Sequence, residues 1–159
     1  MKVSVIIKAY NEEKNIANSI KSALKAIKGL NGEIIVVDSL SNDKTVEIAK
    51  RFPVKIVQIN EKSIRTPAAA LEVGYRASKG EFIYVLDGDM VLDENFIKKV
   101  LPLFKDKSIA GIGGLPSEPY SENIISKRIQ KKYKNIETGD VEYLDGGGLY
   151  RRSAIEKVG

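Results

Sequence analysis

Glu81-Phe82-Ile83-Tyr84-Val85-Leu86-Asp87-Gly88-Asp89 is the stretch on which the reading of this chain turns: an apolar, strand-forming run that ends in two carboxylates flanking a glycine. The two carboxylates stand at i and i+2 on a segment expected to be still extended, so they point to the same side of the backbone, and the glycine leaves room for a bulky anion to approach. Two carboxylates so placed suit Mg²⁺ or Mn²⁺, hard cations that take oxygen ligands and share them with phosphates, so the expected third partner is a diphosphate. The plain alternative is an Asp-Gly turn closing a strand.

Working outward, three more segments end in the same manner. Val3-Ser4-Val5-Ile6-Ile7 is a β-branched run followed by Lys8-Ala9-Tyr10-Asn11-Glu12-Glu13, where Asn11 reads as a helix N-cap with Glu12 and Glu13 in the first turn. Ile16, Ile20, Ala23, Leu24 and Ile27 then share one helical face. Glu33-Ile34-Ile35-Val36-Val37 ends in Asp38, and Ser39 to Asp43 leads into a helix with Val46 and Ala49 inward. After Val54-Lys55-Ile56-Val57, Thr66-Pro67 reads as an N-cap and first-turn proline of a helix carrying Ala70, Val73 and Ala77 to Gly80. Strands alternating with helices predict an α/β fold in which 3–7, 34–37, 56–57 and 82–86 are neighbouring parallel strands. Ligands of such sheets bind beyond the carboxyl ends of the strands, where Tyr10, Asp38, Asp87 and Asp89 all fall.

These residues carry a resemblance. The chain is similar to the family 2 glycosyltransferases of the GT-A fold through Val5-Ile6-Ile7-Lys8-Ala9-Tyr10-Asn11-Glu12, Ile34-Ile35-Val36-Val37-Asp38 with Ser41 and Asp43, Arg65 before Ala69 and Gly74, Ala77, Gly80, Asp87-Gly88-Asp89, and Gly146-Gly147-Gly148-Leu149-Tyr150-Arg151-Arg152. The resemblance implies a Rossmann-like sandwich with a mainly parallel central sheet and helices on both faces, forming one nucleotide-sugar-binding domain over residues 1–159. It also implies an inverting transfer of a sugar from a nucleotide-diphosphate donor, UDP-sugar favoured, to a saccharide or lipid-linked acceptor, with Mn²⁺ or Mg²⁺ as cofactor.

Carried over by position, Ala9, Tyr10 and Glu12 would line the nucleoside pocket, with Asp38 hydrogen-bonding the base and Arg65 reaching the nucleotide from the next loop. Asp87 would contact ribose or metal, and Asp89 would ligate the metal. Two positions depart from the family pattern: Lys8 stands where proline is common, and Ser39 where a second acidic residue is common. Lys8 either adds positive charge near the phosphates or points to solvent. Family members continue past the segment matched by Gly146 to Gly159 into a region holding the acidic general base, so the domain is expected to be incomplete at its C-terminus and weakly active. Asp145, beside the glycine-rich acceptor-side loop, is the candidate within the chain for a catalytic acid-base role, with acceptor orientation or a plain turn as its alternatives.

Composition narrows the chemistry. The 159 residues contain no Cys and no His, which removes thiolate and imidazole metal sites, cysteine nucleophiles and a Ser-His triad. A glycine-rich turn after the first strand and a P-loop are both missing, and Gly111-Ile112-Gly113-Gly114 comes late and reads as a strand end. No apolar run approaches the roughly 20 residues of a membrane span, and cytoplasmic placement is the default expectation. Lys and Arg number 26 against 21 Asp and Glu, a net +5. Much of that excess lies in Lys127, Arg128, Lys131, Lys132 and Lys134, interleaved with an apolar stripe of Ile125, Ile129, Tyr133 and Ile136. A basic amphipathic helix is expected there, packed on the sheet or touching the inner face of a membrane. Nucleic acid is not an expected partner, since aromatic interleaving and a recognised motif are both lacking. The rival function is a non-catalytic nucleotide-sugar-binding module.

Overall fold

The computed structural model describes residues 2–61, 66–114, 139–141, 144 and 147–158. The expected basic helix over 125–136, Arg65 and Asp145 lie outside the described residues. In chain order the elements are β1 (Lys2–Ala9), α1 (Ile16–Ala26), β2 (Asn31–Asp38), α2 (Thr45–Ala49), β3 (Lys55–Gln58), α3 (Pro67–Ala77), β4 (Phe82–Asp87), α4 (Phe96–Val100), a 3₁₀ turn (Leu101–Lys105), β5 (Gly111–Gly113), β6 (Gly148–Arg151) and α5 (Arg152–Val158).

One sheet runs in the order β3-β2-β1-β4-β6-β5. The first four strands in that order are parallel, as the alternation of strands and helices predicts, and β6 pairs antiparallel with both β4 and β5. The sheet is therefore mixed but mainly parallel. Its inner strands are apolar on both sides because both sides are covered. Val3, Val5, Ile7, Ile34, Val36, Phe82, Tyr84 and Leu86 pack with Ile16, Ile20 and Ala23 of α1, Ala49 of α2 and Ile97 of α4. On the other face Ile6, Ile35, Val37 and Ile83 meet Ala70 and Val73 of α3 and Ile155 of α5.

Two helix starts test the local sequence signals. Thr66 caps α3 as expected, its Oγ1 accepting from Ala69 N–H at 3.1 Å, with Pro67 in the first turn. Asn11 does not cap α1. The cap position is Asn15, no acidic residue occupies the first turn, and Asn11 instead adopts a left-handed φ of 55°. Asn tolerates that conformation better than most residues, and its side chain is engaged with another loop.

The amino end of the sheet is satisfied within the chain. Buried Ser4 donates to Glu33 Oε1 at 2.7 Å and accepts from Gly80 N–H at 2.8 Å. Burial by itself would raise the Glu33 carboxyl, but hydrogen bonds from Ser4 and from Lys79 N–H, with Lys2 nearby, outweigh it and hold the group below its ordinary value. At the antiparallel side, Arg151 lies over the Phe82 and Phe104 rings and donates to the carbonyls of Phe104 and Asp106, tying the 3₁₀ turn to β6.

Gly74 lets α3 approach the sheet. A Cβ there would overlap Ile6 Cγ2 and come within 3.0 Å of Val37 Cγ2, both on fully buried residues. Gly74→Ala gains about 1 kcal/mol of helix propensity, whereas overpacking costs about 1–3 kcal/mol. Because Ile6 and Val37 have no free side to move toward, the second effect should dominate. Urea denaturation of Gly74→Ala is expected to show a net loss of up to about 2 kcal/mol.

Candidate functional site

Strand register brings the candidate residues to one edge. On the β1–β2 ladder Ala9 stands opposite Asp38, and on the β1–β4 ladder Lys8 stands opposite Asp87. Ser39 N–H donates to Ala9 O at 2.9 Å and Gly88 N–H to Lys8 O at 2.8 Å, extending both ladders one residue past the strands. Asp38 and Asp87 are thereby separated by two strand spacings, roughly 10 Å. Tyr10 follows directly on β1 and is exposed, while Ala9 is buried in the core. Ala9 thus meets the edge through its backbone.

The two loops beyond β1 and β2 are stitched together. Five hydrogen bonds cross between them: Asn11 N–H to Ser41 Oγ, Asn42 N–H to Asn11 Oδ1, Glu12 N–H to Thr45 Oγ1, Glu13 N–H to Asp43 Oδ2 and Lys44 N–H to Glu13 Oε2. Asp43 also receives the Thr45 N–H and hydroxyl at the head of α2. Desolvation pushes the Asp43 carboxyl up, but these hydrogen bonds prevail and leave it below its ordinary value. Leu40, at the crest of the second loop, sits at φ 61°, a conformation costly for a side chain of its kind.

Asp38 is the centre of this end of the sheet. It is fully buried, and its Oδ2 accepts from Ser41 N–H and Gln58 Nε2, each at 3.2 Å. Its Oδ1 is buried with no hydrogen-bond partner among the described residues. An unpaired buried acceptor typically costs about 1–3 kcal/mol. The orphan oxygen calls for a donor that the described residues do not supply.

The Asp87-Gly88-Asp89 segment is not extended. β4 ends at Asp87, and a turn closed by Met90 N–H to Asp87 O at 3.0 Å carries Gly88 and Asp89. Strand alternation therefore does not align the two carboxylates. The space beside Gly88 is also taken by the chain, for a Cβ there would lie 2.9 Å from Glu12 Cγ and 3.0 Å from Lys8 O. Glycine is required for contact between the β1 and β4 ends, not to admit an anion. Ser19 of α1 braces the turn by donating to Asp87 O at 3.3 Å. Lys8 Nζ pairs with Asp87 Oδ1 at 2.8 Å, with the lysine side chain only 20% exposed. Lys8 therefore points to an acid and not to solvent.

Among the described residues no three acidic side chains gather closely enough to hold a metal ion by themselves. The donor chemistry at the turn nevertheless suits a cation shared with phosphate oxygens, which needs only one or two carboxylates. Gln58 and the Ser41 amide escaped the sequence reading. Gln58 ends β3 directly opposite Asp38, so its polarity at a strand's carboxyl end was the available signal. No described helix is long and apolar enough to cross a membrane.

Comparison with known proteins agrees with this architecture. A sequence profile of glycosyl transferase family 2 matches residues 4–159. A dolichol-phosphate mannosyltransferase of Pyrococcus furiosus is 32% identical over 139 residues, covering 80% of this chain and 39% of that protein. The chain thus spans about two-fifths of that relative's length. Two solved structures share the fold: a mannosyltransferase of Pyrobaculum calidifontis in complex with GDP-Man and Mn²⁺ (TM-score 0.74, 20% identity, 99% of this chain and 46% of that one), and TarS 1-349 of S. aureus in complex with UDP-GlcNAc (TM-score 0.70, 22% identity, 99% and 47%).

The loop stitching makes a prediction with a sign. Asp43→Ala should lower the melting temperature by about 2–4 °C at neutral pH, the equivalent of about 1 kcal/mol. Because the folded-state value is depressed, the stability Asp43 contributes is present above the ordinary carboxylate value near 4 and is lost as pH falls through the depressed one. Thermal melts of both proteins should therefore converge below that window.

Proposed function

We propose, from the premise that the chain belongs to glycosyl transferase family 2, that it carries the donor-binding part of an enzyme transferring a sugar from a nucleoside diphosphate to a saccharide or lipid-linked acceptor. The observation that carries this reading is the orphan Oδ1 of Asp38. At the carboxyl edge of a parallel sheet, that acceptor matches a base edge that donates an N–H. Uracil N3–H and guanine N1–H do so, whereas adenine and cytosine offer an acceptor at the corresponding ring nitrogen. UDP-sugar is the favoured donor and GDP-sugar the next. The relatives' own ligands, UDP-GlcNAc in one and GDP-Man in another, are of these two kinds.

The remaining residues take roles that their positions support. Tyr10, exposed directly after β1, would supply a ring face for the base. Glu12 packs against Gly88 and fixes where the β4 turn lies relative to the β1 loop. Arg65, adjacent in sequence to the Thr66 cap of α3, would reach the nucleotide. Asp89, with Asp87, would hold Mn²⁺ or Mg²⁺, which when bound stabilises negative charge on the departing diphosphate. Direct displacement at the anomeric carbon by the acceptor hydroxyl inverts its configuration, and the hydroxyl's proton passes to an acidic base. Asp145 is the acidic residue of this chain placed by sequence beside the acceptor-side loop.

Calorimetry with UDP, GDP, ADP and CDP, in Mn²⁺ and in EDTA, tests the reading. UDP or GDP should bind and ADP and CDP should not. In Asp38→Asn the two donors on Oδ2 hold the amide oxygen, which turns the NH₂ to the orphan position and offers a donor where an acceptor stood. Nucleotide affinity should fall about 10–100-fold while the fold is kept. Asp89→Ala should remove the metal dependence of binding. Equal affinity for all four nucleotides, unchanged in Asp38→Asn, would sink the assignment.

A further inference from the structure

Lys8 grips the Asp87-Gly88-Asp89 turn at two points. Its Nζ lies 2.8 Å from Asp87 Oδ1, and its carbonyl accepts the Gly88 N–H at 2.8 Å. The pairing is set by the sheet and not by a chance rotamer, because Lys8 and Asp87 are register partners on adjacent parallel strands. The lysine side chain is four-fifths buried while the Asp87 side chain is 47% exposed, so the pair presents its acidic half outward. A carboxylate held by a neighbouring ammonium is a weaker ligand for a second cation, and the ammonium also repels that cation directly.

We propose that Lys8 is a resident counter-ion that keeps the acidic turn from loading a divalent cation in the absence of nucleotide, and that it attracts the diphosphate of the donor through its own charge. The role rests on the donor-site reading above and deepens it. Two consequences follow. The divalent cation enters together with the diphosphate, whose oxygens complete a ligand set that Asp89 and the occupied Asp87 leave short. Part of the nucleotide affinity survives without metal, since one positive charge is always present.

Lys8→Met keeps the backbone hydrogen bond and the apolar stem while removing the charge, and Lys8→Gln is a second variant should methionine perturb folding. Mn²⁺ alone, titrated against each protein and read by water-proton relaxation, should bind the charge-free variants roughly tenfold more tightly than wild type. UDP or GDP binding in EDTA should weaken several-fold in the same variants. Lys8→Arg should restore wild-type behaviour in both measurements. Unchanged or weaker Mn²⁺ affinity in folded Lys8→Met and Lys8→Gln would overturn the proposal, as would binding too weak to measure in all the proteins. The Mn²⁺ titration needs no nucleotide. If wild type bound neither UDP nor GDP, the donor-site reading would fail while the metal-gating role of Lys8 was still decided.

Discussion

Parallel pairing on both sides of β1 is the constraint on which the rest depends. β1 is flanked by β2 and β4 in fixed register, so that Asp38 finishes opposite Ala9 and Asp87 one residue earlier, opposite Lys8. A slip of one residue in either ladder would exchange the faces of a strand packed on both sides. It would also separate Lys8 from Asp87 and Ala9 from the Ser39 amide. The energy of this arrangement comes from apolar burial. The position of the polar residues is a consequence of it, because side chains at strand ends go where the buried residues before them dictate.

The two ends of the sheet treat polar groups differently. At the amino end Ser4, Glu33, Lys79 and Gly80 satisfy one another. At the carboxyl end the loops after β1 and β2 are linked by hydrogen bonds, yet among the described residues a buried carboxylate oxygen is left over. A rigid surround with an unmet acceptor is what ligand recognition requires, since the protein need not reorganise when the partner arrives. The stitched loops around that oxygen include two residues of left-handed backbone, Asn11 and Leu40.

Charge at the same edge is balanced in a similar way. Asp87 is opposed by Lys8, and no third acid joins Asp87 and Asp89 among the described residues. The turn therefore has one carboxylate already engaged and one exposed, which is a set of ligands suited to a cation that arrives with its own oxygens. The base contact proposed for Asp38 and the phosphate or metal contact proposed for Asp87 and Asp89 lie on two different strands. Both strands are anchored to β1 by register.

Local pattern was enough for much of this protein. Runs of β-branched residues declared the four parallel strands, helical spacing in α1 and α3 showed their inward faces, and Thr66-Pro67 marked a cap, because each of these signals is a preference of neighbouring residues for one backbone state. The carboxyl-edge position of Tyr10, Asp38 and Asp87 followed from the strand–helix alternation. Tertiary structure decided the rest. Asn11 looked like a cap but bonds to Ser41 and Asn42, some thirty residues away, and such long-range partners outcompete a local cap without leaving a mark in the nearby sequence. Asp87 and Asp89 looked aligned until the strand ended at Asp87, a boundary set by where pairing with β1 stops. Gly88 looked like space for a ligand and proved to be space for Glu12. The Lys8–Asp87 ion pair, and the Asp38 oxygen left without a partner among the described residues, arise only when strands distant in sequence are placed in register, since pairing and its absence are properties of neighbours in space.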